Sequence, residues 1–188
     1  MNRRDALTKV ALIMGGTVVG ANLFLTGCSR EASKTVESLF SPEIIDFLGD
    51  ISDTILPPTS SPGAKEAGVG EFIPVMVRDC YSQIDQQIIV EGIGKLENSA
   101  KSKYNRIFQE LTKAERTELL TIIDKESIDH QQKKGVEEPR HYFYLIKQIT
   151  LLGYFTSELG TTKALRYVAI PGKYIGDYPY KEGDKAWA

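Results

Sequence analysis

From Ser41 to Glu158, apolar residues recur every three or four positions, and no useful stretch alternates apolar with polar residues. That period gathers side chains on one face of a helix and does not suit a half-buried strand, so it predicts an all-α fold. Proline and glycine cut the pattern into pieces. Ser41-Pro42-Glu43 reads as a helix start, with a hydroxyl cap, a proline at the first helical position and an acid in the first turn. Ile44, Leu48, Ile51 and Ile55 then form one apolar stripe. It stops at Pro57-Pro58, because proline has no N–H with which to continue the ladder.

The helical period returns from Glu71, with Phe72, Val75, Met76 and Cys80 on one face. Ile84, Ile88, Ile89, Ile93 and Leu96 make a further helix, whose middle Gly92 and Gly94 each weaken by about 1 kcal/mol relative to alanine. Residues 98–105 are polar and basic and are expected to fray. Thr112 and Glu115 have the spacing of a capping box, opening a helix that turns Leu119, Leu120, Ile123 and Ile128 inward. Residues 131–138 read as a polar connection. Pro139 opens the most apolar segment, with Tyr142, Phe143, Leu145, Ile146, Ile149, Leu152 and Phe155, and Gly160 as its C-cap. Apolar residues nearly all round mark it as the central helix. Residues 161–167 form a short helical piece, and the tail is irregular and aromatic, with Tyr174, Tyr178, Tyr180 and Trp187. The expectation is a small domain of about five or six helices with a long irregular C-terminal arm.

The first 28 residues follow a different logic. A basic start (Arg3, Arg4, Lys9) precedes an uncharged apolar run, and Leu25-Thr26-Gly27-Cys28 looks like a lipobox. This order describes an export signal, residues 1–27, cut before a Cys28 that carries acyl chains. Each buried methylene contributes about 0.8 kcal/mol, so two or three chains anchor firmly. An uncleaved membrane anchor and a core helix are the competing readings. Several glycines weaken the first, and the basic start has no explanation in the second. Arg3-Arg4 resembles a twin-arginine signal for folded export, although Ala6 departs from the usual pattern; an ordinary secretory signal is the alternative. Residues 28–40 read as a tether and 41–188 as the helical domain.

Removing residues 1–27 from the 188 leaves 161, enough for one domain with a core. The signal's Arg3, Arg4, Lys9 and Asp5 sum to +2, so the remainder of a chain of net charge −2 carries −4. A mildly acidic body argues against nucleic-acid binding. With Cys28 acylated, Cys80 has no partner in the chain, and its apolar neighbours suggest a buried thiol. His130 and His141 have no metal-ligand spacing and read as solvent-exposed. Asp46, Asp50 and Asp53 share one side of the first long helix and read as a solvated face. Residues 57–70 hold three prolines and three glycines, a long loop for a small domain. No catalytic, cofactor-binding or metal-binding residues emerge.

Two segments carry a resemblance. One runs from Asp53 through Pro57-Pro58 and Pro62-Gly63-Ala64 to Gly68-Val69, followed by Phe72-Ile73. The other is Leu151-Leu152-Gly153-Tyr154-Phe155-Thr156-Ser157-Glu158, then Leu165-Arg166-Tyr167, Pro171-Gly172-Lys173-Tyr174 and Pro179-Tyr180. Together they resemble the gluconate 2-dehydrogenase subunit 3 family over roughly Ile44 to Tyr180. That family is the small subunit of membrane-associated, FAD-dependent sugar and sugar-acid dehydrogenases. The resemblance implies an accessory chain that carries the export signal and binds a larger flavoprotein lacking one. Substrate is then oxidised at the partner's FAD, and a cytochrome c subunit, holding haem c, often takes the electrons onward. A lipobox is not general in the family, and here it suggests lipid anchoring to a membrane facing the periplasm. Candidate partner-binding residues are Pro62, Gly63, Ala64, Gly68 and Val69 in the loop, and Tyr154, Pro171, Gly172, Tyr174 and Tyr180 near the end. The rival readings are a stand-alone envelope lipoprotein with a binding or structural role, and an enzyme assembled from dispersed carboxylates such as Asp53 and Glu158.

Overall fold

A computed structural model describes residues 34–170 and 172–188. The expected signal peptide, with Arg3 and Arg4, the lipidation residue Cys28 and the loop residue Pro171 lie outside the described residues. The described residues form six α-helices in order: α1 (Lys34–Glu37), α2 (Pro42–Ile55), α3 (Val69–Cys80), α4 (Gln83–Tyr104), α5 (Lys113–Lys133) and α6 (Tyr142–Thr156). There are 3₁₀ turns at Ser38–Phe40 and Phe108–Glu110 and a single π turn at Gly160–Ala164. No β-strand occurs among the described residues, so the all-α expectation holds; one isolated bridge pairs Arg166 with Trp187.

The N-caps that the sequence announces at Ser41 and Thr112 form, and Ser82 and His141 add two more. Ser41 Oγ accepts the Ile44 N–H at 3.3 Å, and Thr112 and Glu115 complete a reciprocal capping box. His141 caps α6, its Nδ1 accepting the Phe143 N–H at 3.2 Å. Helix α3 begins two residues before the expected Glu71, because Gly68 turns the chain at φ +74°. Helix α4 does not fray at residue 98. It runs to Tyr104 and ends where Asn105 adopts a left-handed conformation. Helix α5 likewise continues to Lys133, through part of the expected polar connection. Gly160 is no C-cap but opens the π turn, three residues after Ser157 ends α6.

Helix α6 is the hub and packs against α2, α3, α4 and α5. Its Phe143, Leu145, Ile146 and Ile149 meet Leu48 and Ile51 of α2, Ile73 and Val77 of α3, and Ile89, Ile93 and Leu96 of α4 in one core. Gly92 is a contact point rather than a weakness: a Cβ there would lie 2.4 Å from the Cβ of Tyr142, so its absence lets α4 and α6 close on each other. Buried polar side chains sit within this packing. Ser52 and Thr150 share a 3.3 Å hydrogen bond between α2 and α6. The Gln86 amide donates to the carbonyls of Val77, Arg78 and Tyr81 at 3.0, 3.1 and 3.2 Å, satisfying the end of α3.

Several expected inward residues face out. Ile128, Leu152, Phe155 and Val75 are exposed, and so is Ile84. On α5 the buried face continues from Ile123 to Ser127, which leaves Ile128 about 100° away around the helix. On α3 the inward face is Val69, Gly70, Ile73, Pro74 and Val77, so Cys80 is exposed rather than buried. Upstream of α2, Val36 and Leu39 are buried, and Arg78 lies 4.9 Å over the Phe40 ring. One compact unit spans Ser33–Ala188.

Candidate partner-binding surface

The irregular loop between α2 and α3 is latched from three directions. Its backbone closes through the Ala64 N–H to the Leu56 carbonyl at 3.0 Å and the Val69 N–H to the Ala64 carbonyl at 3.1 Å. Lys65 Nζ reaches Asp46 at 2.7 Å and Asp50 at 2.6 Å, and Arg116 of α5 adds a 3.3 Å contact to Asp50. The Lys65 N–H donates to Asp53 Oδ1 at 3.3 Å. From α6, the Tyr154 hydroxyl donates to the Pro62 carbonyl at 2.7 Å. The expected solvated acidic face is therefore an ion cluster that binds the loop. Its Lys65 hydrogen bond holds the Asp46 carboxyl below the ordinary carboxylate range. Burial works against the Lys65 charge, but the bonds to Asp46 and Asp50 outweigh it and raise the ammonium pKa. Local pattern alone does not mark Lys65; its signal is acids at helical spacing close to a lone loop lysine.

The two histidines are half-buried and face each other, with ring centroids 5.7 Å apart, and are not the solvent-exposed residues expected. His130 Nε2 bonds the Pro139 carbonyl at 3.0 Å, and His141 Nδ1 is engaged as the α6 cap. They line an open pocket of about 410 Å³ with Glu91, Lys95 and Glu126. Burial, aided by the Glu126 charge, pushes the Tyr142 hydroxyl up to about 12. Among the described residues no three His, Cys, Asp or Glu side chains gather to hold a metal ion. The cleft lined by Asp53, with Pro57, Pro58, Lys113, Arg116 and Thr117, does not include Glu158.

The Tyr154–Pro62 bond joins two segments 92 residues apart in sequence, the same two that carry the family resemblance. Residues 42–172 match the family model described as Gluconate 2-dehydrogenase subunit 3. The chain belongs to this family. No curated protein and no solved structure matched it. The family is that of a subunit of gluconate 2-dehydrogenase, an oxidoreductase complex.

In this subunit 3 chain the ten candidate contact residues divide by exposure. Gly63, Ala64, Val69 and Tyr154 are buried, turned into the loop's own packing. Pro62 and Gly68 are half-buried at its rim, and Pro171 lies outside the described residues. Gly172, Tyr174 and Tyr180 are exposed on the arm, Tyr174 at 95% and Tyr180 at 77%. The structure adds Leu151, Leu152 and Phe155, which form an exposed apolar strip on the outer side of α6. The sequence hid this strip because the other face of α6 is equally apolar.

Proposed function

We propose that this chain is the non-catalytic small subunit of a membrane-associated, FAD-dependent dehydrogenase acting on CH–OH groups of sugars or sugar acids. It carries the export signal for the flavoprotein subunit, supports that subunit's maturation, and moors it in the cell envelope through lipid on Cys28. FAD resides in the partner, with haem c in a cytochrome third subunit. The observation that carries the reading is the family match over residues 42–172 behind a basic-apolar-lipobox start. The internal chemistry supports it. The acidic cluster is tied to Lys65 and Arg116, and His141 caps a helix, so these groups act within the fold. The partner-facing surface is assigned to Tyr174, Tyr180 and Gly172, the loop rim at Pro62 and Gly68, and the apolar strip of α6, since exposed aromatics suit an interface.

The test is expression of the full chain with the large flavoprotein. The two should co-purify, with flavin absorbance and dehydrogenase activity in the membrane fraction. Cys28→Ser should release both to the soluble envelope fraction, and replacing Arg3 and Arg4 by Lys should leave the flavoprotein inside the cell. A chain that reaches the envelope and captures no flavoprotein would favour the stand-alone lipoprotein instead.

A further inference from the structure

The C-terminal arm returns to its own starting point. The Arg166 N–H donates to the Ala186 carbonyl at 2.8 Å, and the Ala188 N–H donates to the Arg166 carbonyl at 3.1 Å. Around this bridge the Arg166 guanidinium carbon lies 4.7 Å from the Trp187 ring centroid and 5.5 Å from that of Tyr178. The two rings meet edge to face at 5.3 Å. Arg166 Nη2 also pairs with Asp184 at 3.3 Å, and Lys185 Nζ donates to the Lys163 carbonyl in the π turn. A turn at residues 181–184, with the Asp184 N–H on the Lys181 carbonyl at 3.0 Å, sets Asp184 in place.

We infer that Arg166 is the centre of a clasp that holds the described part of the arm, residues 172–186, as a preformed surface for the flavoprotein subunit. Arg166 and Trp187 are positioning residues, and the exposed tips, Tyr174 and Tyr180, make the contact. This inference rests on the function proposed above. It goes beyond family membership, because the match ends at residue 172 and the closing half, Tyr178, Asp184 and Trp187, lies past it.

The physical basis is preorganisation. An open segment of this length loses its conformational freedom when it binds, whereas a closed loop has already lost much of it during folding. Arginine suits the centre because its broad, delocalised cation lies beside two mutually perpendicular rings while it pairs with a carboxylate, a spread of contacts that a compact lysine ammonium does not match. The clasp lies outside the helical core, so opening it leaves the core packing intact.

The experiment uses the full chain with the flavoprotein that co-purifies with the wild type. Trp187→Ala and Arg166→Ala should each expose residues 172–186 to limited proteolysis, leave the urea midpoint of the helical body unchanged, and weaken flavoprotein binding about tenfold to hundredfold. Arg166→Cys with Trp187→Cys, in a Cys80→Ser background, should bind weakly when reduced and regain most of the affinity when the disulfide forms. Regain on oxidation separates positioning from direct contact, because neither original side chain is present. Wild-type affinity in the alanine variants, or no gain on oxidation, overturns the inference. If the wild type itself captures no flavoprotein, the parent reading and the loop's binding role fail together. Unchanged proteolysis of Trp187→Ala overturns the clasp itself, with or without a partner.

Discussion

Two stretches of this protein, residues 57–68 and 165–188, look alike as sequence: rich in proline and glycine and poor in helical pattern. They fold to opposite ends. The first is drawn into the body by Lys65 and Tyr154, and its Ala64 is fully buried. The second closes on itself around Arg166 and leaves Tyr174 almost wholly in solvent. The difference arises from what flanks them. Helices α2 and α3 pack closely, so the loop between them must fit a fixed space, whereas the arm follows the π turn at Gly160–Ala164, the last helical element among the described residues. An irregular segment thus serves the fold or a surface according to its neighbours, not its composition.

The largest break in this contrast should come from Gly70→Ala. A Cβ there would lie 2.7 Å from the Ile45 carbonyl oxygen and 3.1 Å from Gly49 Cα, so α2 and α3 must separate. We expect a loss of roughly 2–3 kcal/mol, read as a lower urea midpoint. Gly172→Ala tests the other side. Gly172 has φ +72° but nothing within 4 Å of a new Cβ, so strain of about 1–2 kcal/mol stays in the arm and the midpoint of the body should hold.

Tyr154→Phe should come next. It removes the hydroxyl that donates to Pro62 and leaves that carbonyl without its partner, a loss of about 1 kcal/mol measured by urea unfolding. Tyr174→Phe on the exposed arm should change stability by less than about 0.5 kcal/mol. Equal effects at the two tyrosines would erase the distinction between loop and arm.

The smallest effect is a pH dependence confined to the body. Burial, then the neighbouring His130 and Lys95 charges, lower the His141 pKa below its ordinary 6.5. Glu91 of α4 and Glu126 of α5 line the same pocket. The fold prefers neutral His141, whose Nδ1 can accept the Phe143 N–H. The stabilisation is therefore complete above pH about 6.5 and is lost as pH falls through the lowered folded value. Unfolding at pH 7.5 and at 5.5 should show the loss, and His141→Asn, which keeps a capping acceptor, should reduce it. The arm contains no histidine, so its protease sensitivity should not follow the same curve.

Much of the fold was legible. Caps at Ser41 and Thr112 and the stripes of α2 and α4 follow from local chemistry, because a helix start needs an acceptor for its free N–H groups wherever it lies. The side chains that face out against expectation share one cause. The helical period groups Ile128, Phe155 and Cys80 with inward residues, but it tells which residues lie together and not which side meets a neighbour. The loop candidates split for the same reason: Ala64 and Pro62 are two residues apart, yet only Ala64 is fully buried.

By itself, then, the sequence determined the helical class, the places where helices begin and the two segments that carry family membership, all of them properties of neighbouring residues. Only the tertiary structure decided that Asp46, Asp50 and Lys65 form a latch, that Gly92 is a contact between helices, and that Arg166 gathers the C-terminus around itself. Those features depend on which surfaces come within about 4 Å of each other, a distance that no local pattern of side chains encodes.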